Sequence, residues 1–162
     1  MLEEFHSFGI EVFPIWTLKT TGIKNIYPDP NSDFRISRPL GFAGTFQKED
    51  LPDCEARLFY VATIFPEEID LPFLQAVAAR GPVALDAQGC ARKLVGDEFV
   101  TDGWEWMEEG LSLVHYLKVD DREAFALTGC SDLKGAAELL AQYGPKEIVL
   151  THKEGVVVYA DG

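Results

Sequence analysis

The sequence predicts an α/β protein: a mostly parallel sheet flanked by helices, with a small β excursion ahead of it. Three observations predict this. From residue 49 onward, short apolar runs alternate with helix-patterned segments. The apolar runs are continuous rather than alternating, which is the pattern of strands covered on both faces. Helical segments lie between those runs, and parallel strands need crossover connections of that kind.

The elements follow in order. Residues 1–16 read as a helix with a crude apolar face from Leu2, Phe5 and Phe8, then, after Gly9, a short apolar strand over 10–15. From 17 to about 46 the chain is rich in turn formers, and Tyr27-Pro-Asp-Pro-Asn-Ser-Asp33 is a strong loop signal. The stretches 21–26 and 34–37 on either side are expected to form a small hairpin off the main sheet. Residues 58–62 read as a buried strand. Residues 67–80 read as a helix with Ile69, Phe73, Leu74, Val77 and Ala78 toward the core, stopped by Gly81 and Pro82. A strand is expected at 83–86, a short helix at 103–110 and a longer strand at 111–119. Helices follow at 121–127 and 133–143, the second ended by Gly144 and Pro145, and the last strands are 148–151 and 156–159.

Bulk composition bounds the function. The chain has 162 residues, 47% of them hydrophobic and 25% charged, which suits one domain with a real core. A net charge of −13 argues against binding nucleic acid through a basic patch and against docking on anionic membranes. It leaves room for a small anion held by backbone amides and a few cations. No stretch approaches the roughly 18 consecutive apolar residues of a membrane span. The acidic start does not resemble a signal peptide. Cys54, Cys90 and Cys130 are odd in number and widely spaced, as expected of idle thiols in a reducing cytosol, so the expected location is cytoplasmic. His6, His115 and His152 have no zinc-ligand spacing.

In open α/β sheets, ligands collect at the carboxyl ends of the strands. Three predicted strands end in polar residues: one at Asp86 and Gln88, one at Lys118 and Asp120, one at Thr151. Asp120 and Glu123 have the spacing of a helix capping box, which explains both without any ligand. They also place two carboxylates where a strand hands over to a helix, where they can hold Mg²⁺ and, through it, phosphates. The two roles are compatible. Lys118 is either a solvated strand-end charge or a point-charge clamp. Thr151 is either a β-branched strand residue or a hydroxyl facing a ligand. His115, Trp104 and Trp106 read as packing residues, and Glu67, Glu68, Glu108 and Glu109 as solvated faces. The Walker A, GxGxxG, GxSxG and HExxH patterns are absent.

The segment Tyr116-Leu-Lys-Val-Asp-Asp-Arg-Glu-Ala-Phe-Ala-Leu-Thr-Gly129 resembles one in ribokinase-like (PfkB) carbohydrate kinases. There a lysine precedes Asn-x-x-Glu and then Leu-Thr-Gly. As in that family, an Ala-rich helix and a strand with a threonine and a nearby glycine follow, here Thr151 and Gly155. The segments at 20–25, 39–44 and 83–89 resemble the family's middle region. The resemblance implies a Rossmann-like core over about 47–162 and a small β lid over about 17–46, within one domain spanning 1–162. It implies phosphoryl transfer from ATP, with Mg²⁺, to a hydroxyl of a sugar, nucleoside or similar small molecule. Carried over, Asp120 and Glu123 organise the metal and phosphates, Lys118 lies near the phosphates, and Thr151 and Gly155 lie near ATP. Asp86 and Gln88 border the substrate.

Two residues depart from the family pattern. Asp120 stands where the family has asparagine, adding a negative charge beside a triphosphate. Lys153 stands where the family has a glycine that lets backbone approach a phosphate. The family's Gly-Ala-Gly-Asp turn, which supplies the anion hole and the catalytic base, is not in these 162 residues. The expectation is therefore a truncated portion of a kinase, with no catalytic residue of its own and inactive alone. The alternative is a non-catalytic nucleotide- or metabolite-binding module. Asn25, Asp33, Arg35 and Arg38 are polar lid candidates, and an exposed lid hairpin suits a homodimer.

Overall fold

Leu85, Leu117 and Leu150 sit on three neighbouring strands and are at most 1% exposed, so they mark the centre of the core. A computed structural model of the chain describes residues 2–32 and 34–160. The main sheet has the order β3-β4-β7-β8-β9, with β3 Phe59–Ala62, β4 Val83–Asp86, β7 Tyr116–Asp120, β8 Glu147–His152 and β9 Gly155–Ala160. The pairs β3/β4, β4/β7 and β7/β8 are parallel, and β9 turns back antiparallel on β8. The mostly parallel sheet flanked by helices is thus present.

The helices that cover it begin and end on chemical signals already in the sequence. Helix α2, Leu71–Ala78, is capped by Asp70, whose carboxylate accepts from the Phe73 amide. Its buried face is Phe73, Leu74 and Val77. Helix α4, Asp121–Thr128, ends at Gly129 with φ 71°, a left-handed residue whose N–H closes the last turn on the Phe125 carbonyl. Helix α5, Leu133–Ala141, buries Ala136, Ala137 and Leu140. Two shorter helices are α1, Leu2–Ser7, and α3, Met107–Leu111.

A second sheet, entirely antiparallel, has the order β1-β2-β6-β5, with β1 Gly22–Ile26, β2 Ile36–Gly41, β5 Arg92–Val95 and β6 Glu98–Thr101. The hairpin expected near 21–37 forms with its second strand starting at Ile36. The sequence reading assigned no element to 92–101, yet these residues complete this sheet through the Ser37↔Phe99 pairing. Phe65 ties the sheet to the core, edge-on to Phe99 at 4.7 Å and stacked on Phe42 at 5.3 Å between ring centres.

Several expected elements differ: the helix expected over 67–80 spans only Leu71–Ala78, and the one expected over 103–110 only Met107–Leu111. Residues 10–15 form no strand: they find no partner strand among the described residues, and Ile10, Phe13 and Ile15 are exposed. The strand at 59–62 is not buried, because it lies at the sheet edge and leaves Tyr60 63% exposed. Residues 111–115 are the end of α3 and a turn, so β7 begins only at Tyr116.

Candidate functional site

Parallel register brings the polar strand ends together. Asp86 lies opposite Lys118 across β4/β7, and Asp120 lies opposite Thr151 across β7/β8. The Lys118 Nζ donates to Asp86 Oδ1 at 3.3 Å, and the same oxygen accepts from the Gln88 amide at 3.1 Å. Both side chains of this ion pair are mostly covered, at 33% and 20% exposure, so water screens the pair less than an exposed one.

Asp120 and Glu123 form the reciprocal capping box that their spacing predicts. Asp120 Oδ1 accepts from the Glu123 amide at 2.7 Å, and Glu123 Oε2 accepts from the Asp120 amide at 2.8 Å. Glu123 is buried at 3% exposure. Burial first, then the charge of Asp120, push its carboxyl up to about 7. The second oxygens, Asp120 Oδ2 and Glu123 Oε1, accept no hydrogen bond among the described residues.

That raised carboxyl has a consequence for stability. A carboxyl whose folded pKa lies above its unfolded value stabilises the fold fully below the unfolded pKa, and this contribution is lost as pH rises through the folded one. The window here runs from the ordinary glutamate range up to about 7. Glu123→Gln keeps an oxygen for the Asp120 amide and removes the charge. The wild type is expected to lose on the order of 3 kcal/mol between pH 5 and 8 that the variant does not lose. Thermal melts of both chains across that range check it. Parallel pH profiles would refute the buried-charge account.

These strand ends open into a cleft of about 1060 Å³. Its core wall includes Gln88, Asp120, Glu123 and Thr151, and its other wall comes from Ser37 and Phe99 of the second sheet and from Phe34 and Arg35 just before β2. Arg92, at the foot of β5, lines it too, and Lys153 stands at the β8–β9 turn on its rim. A second cavity of about 830 Å³, lined by Trp104, Trp106, Glu67 and Asp70, shares Arg92 and Asp102 with the first.

The structure sorts the expected residues. Gln88, Asp120, Glu123 and Thr151 share the cleft. Asp86 and Lys118 are paired to each other just beside it. Gly155 stands across the hairpin from His152 with φ 153°, outside the cleft lining. Of the polar candidates on the second sheet, Arg35 lines the cleft. Asn25 instead accepts from the Ser37 hydroxyl at 2.7 Å, and Arg38 pairs with Asp97 at 3.2 Å and Glu98 at 2.8 Å. Asp33 lies outside the described residues. Arg92 is the cleft residue that sequence reasoning missed. The signal for it was available: the apolar run Leu94-Val95, the turn Gly96-Asp97 and the run Phe99-Val100 spell a hairpin that Arg92 begins. His115 is a packing residue, as expected, its Nδ1 accepting from the Val83 amide at 3.4 Å. Trp104 and Trp106 pack edge to face at 4.6 Å. Burial pushes the Cys90 thiol up to about 12, so it stays protonated and inert.

Two carboxylates with free oxygens suit a hard divalent cation such as Mg²⁺, which takes its remaining oxygens from water or phosphates. Among the described residues no cluster of three or more His, Cys, Asp or Glu side chains could hold a metal by itself. Any cation here must therefore share its coordination with a ligand. Positive charge between Asp120 and Glu123 would also relieve the repulsion that lifts the Glu123 carboxyl.

The chain resembles known proteins over nearly all its length. No protein-family model matches it. It is 29% identical over 156 residues to a cytidine kinase of Thermococcus kodakarensis, covering 93% of this chain and 51% of that protein. A pyrophosphate-dependent kinase in the ribokinase family, solved as a sulfate complex, superposes with a TM-score of 0.89 at 30% identity. That superposition covers 99% of this chain and 57% of the other. A structure of a pyrophosphate-dependent kinase in the ribokinase family, complexed with a pyrophosphate analog and myo-inositol, gives 0.88 at 27% identity, covering 99% and 57%. The shared architecture is that of a ribokinase-like α/β fold. The chain is similar to kinases of the ribokinase family and spans about half the length of these relatives.

Proposed function

We propose that this chain forms the phosphate-handling corner and the lid of a kinase that transfers a phosphoryl group to a hydroxyl of a sugar, polyol or nucleoside. The observation that carries this reading is the reciprocal Asp120–Glu123 cap, which fixes two buried-edge carboxylates at the mouth of a cleft roofed by the second sheet. In this reading the donor is ATP. Asp120 and Glu123 hold Mg²⁺, directly or through water, and the metal would neutralise charge on the donor phosphates. Thr151 lines the donor path. Lys118, oriented by Asp86, adds positive potential from behind the cap. Gln88 borders the acceptor. The second sheet acts as the lid, and its exposed edge strand β1 suits pairing with a second copy. The free thiols Cys54, Cys90 and Cys130 suit a cytoplasmic protein.

A second reading takes pyrophosphate as the donor. It is favoured by Lys153, which places a cation rather than a glycine on the rim, and by the pyrophosphate-dependent relatives at 30% and 27% identity. Titration of the chain with Mg·ATP and with Mg·pyrophosphate, followed by a phosphoryl-transfer assay against cytidine and myo-inositol, separates the possibilities. Magnesium-dependent binding of either donor supports the kinase reading; transfer by this chain is not expected, because these 162 residues hold no Gly-Ala-Gly-Asp turn, and measurable transfer would overturn that expectation. Donor binding that is indifferent to Mg²⁺ favours the non-catalytic binding module. No binding at millimolar donor would refute both.

A further inference from the structure

We propose that Glu68 is a positioning residue that pins the second sheet over the cleft. The phosphotransfer reading above gives Glu68 no part, and the pin rests on that reading only for the ligand used in the final titration. Sequence patterning puts Glu68 on a solvated face, yet the residue is buried at 8% exposure. Its carboxylate makes no salt bridge among the described residues. One oxygen, Oε2, instead accepts from two backbone amides, that of Ile64 at 2.6 Å and that of Phe65 at 3.0 Å. Charge-assisted bonds of this kind are roughly twice as strong as neutral ones, so they hold the 64–65 dipeptide firmly.

What that dipeptide carries gives the two bonds their consequence. The Ile64 carbonyl accepts from Arg92 Nη1 at 3.0 Å, and Arg92 opens β5. The Phe65 ring stacks on Phe42, just after β2, and meets Phe99 of β6 edge-on. The Glu68 carbonyl accepts from the Phe46 amide at 2.8 Å, on the same segment that leaves β2. The strands β2, β5 and β6 are thus all tied to the short segment 64–68, and β1 follows through its pairing with β2.

The two sheets share no strand pairing, so no backbone ladder sets how one stands over the other. Their placement rests on side-chain contacts and on the connecting segments. Arg92 and Phe99 both line the cleft, and both lean on the dipeptide that Glu68 holds. Without the carboxylate, the Ile64 and Phe65 amides lose their acceptor, and Phe65 is buried, where water replaces it poorly. The segment would then shift to satisfy them, and the wall of the cleft would shift with it.

Spin-label distances across the cleft read the pin without any ligand. Labels go on Tyr27→Cys, just after β1, and on Glu154→Cys, in the β8–β9 turn, both exposed positions. Cys54→Ser and Cys130→Ser remove the accessible native thiols, and Cys90 is buried. The distance distribution is expected to broaden about twofold or more in Glu68→Ala. Glu68→Gln keeps an oxygen for both amides and is expected to stay near the wild-type width. Glu68→Asp, a methylene short of the amides, should broaden it less than alanine and decides the matter if Glu68→Ala fails to fold. A wild-type width in whichever of these two folds, or a glutamine variant as broad as alanine, overturns the pin. Titration of the folded variants with Mg·pyrophosphate then joins the pin to the site: affinity should fall about tenfold in Glu68→Ala and hold in Glu68→Gln. A lower denaturant midpoint with unchanged affinity would leave Glu68 a structural cap only and overturn the positioning role. Failure of the phosphotransfer reading has a different signature: widths as expected, with no donor binding by the wild-type chain.

Discussion

Asp120→Ala is expected to lower stability by about 1 kcal/mol, the usual loss when a helix N-cap side chain is removed. It is also expected to weaken the Mg²⁺-dependent part of donor binding by about tenfold or more, as when a metal site loses a carboxylate support. Asp120→Asn separates the two effects. Asparagine caps a helix about as well as aspartate, so the bond to the Glu123 amide survives and the melting temperature should hold. What changes is charge. With Asp120 neutral, the Glu123 carboxyl loses one cause of its upward shift. Donor binding should then depend less on Mg²⁺, because fewer negative charges meet the phosphates. Denaturant melts with donor titrations at several Mg²⁺ concentrations read both effects. If Asp120→Asn matched Asp120→Ala in both, the charge would have no separate part.

Gly89→Ala is expected to be the most damaging small substitution near the cleft. A Cβ there would lie 2.0 Å from Thr63 Oγ1, 2.7 Å from Thr63 Cβ and 2.8 Å from its carbonyl carbon. Two of these are part of a buried residue's fixed framework rather than a flexible tip, so the backbone has to move. Overpacking of this kind costs about 3 kcal/mol. The shift also has a direction. Gly89 lies between Gln88 and Arg92, and its carbonyl accepts from the Arg92 amide at 3.1 Å. Displacing it would move two cleft residues together. The check is a chemical melt alongside pyrophosphate titration under native conditions. A stable variant with normal binding would mean that the 63 and 89 segments separate easily.

The parts of the fold legible in the sequence are those set by local signals. The Asp120–Glu123 box, the Gly81-Pro82 pair that bars continuation just beyond α2, and the continuous apolar strands each encode their own outcome over a few residues. The gathering of Gln88, Asp120 and Thr151 at one edge followed from strand polarity alone. What the sequence hid depends on distant partners. Residues 10–15 look like a strand, but a strand needs a neighbour. The apolar run at 111–119 conceals a boundary, because Leu111 buries from a helix as readily as from a strand. Arg92 was missed because the cleft it lines forms only when β5 and β6 join β2, a strand far earlier in the chain.

The pairing of Ser37 with Phe99 has a further effect, on the order of assembly. As the chain leaves the ribosome, β1 and β2 emerge first as a lone two-stranded ribbon, which is marginal in water. They gain a third strand only when residues 98–101 arrive, after β3 and β4 have already been made. Closing that long loop is entropically expensive, and contacts of such separation slow folding. The second sheet should therefore consolidate late, on a platform the parallel core has already provided. In pulse-labelling hydrogen exchange, amides of β4 and β7 should gain protection before those of β1 and β2.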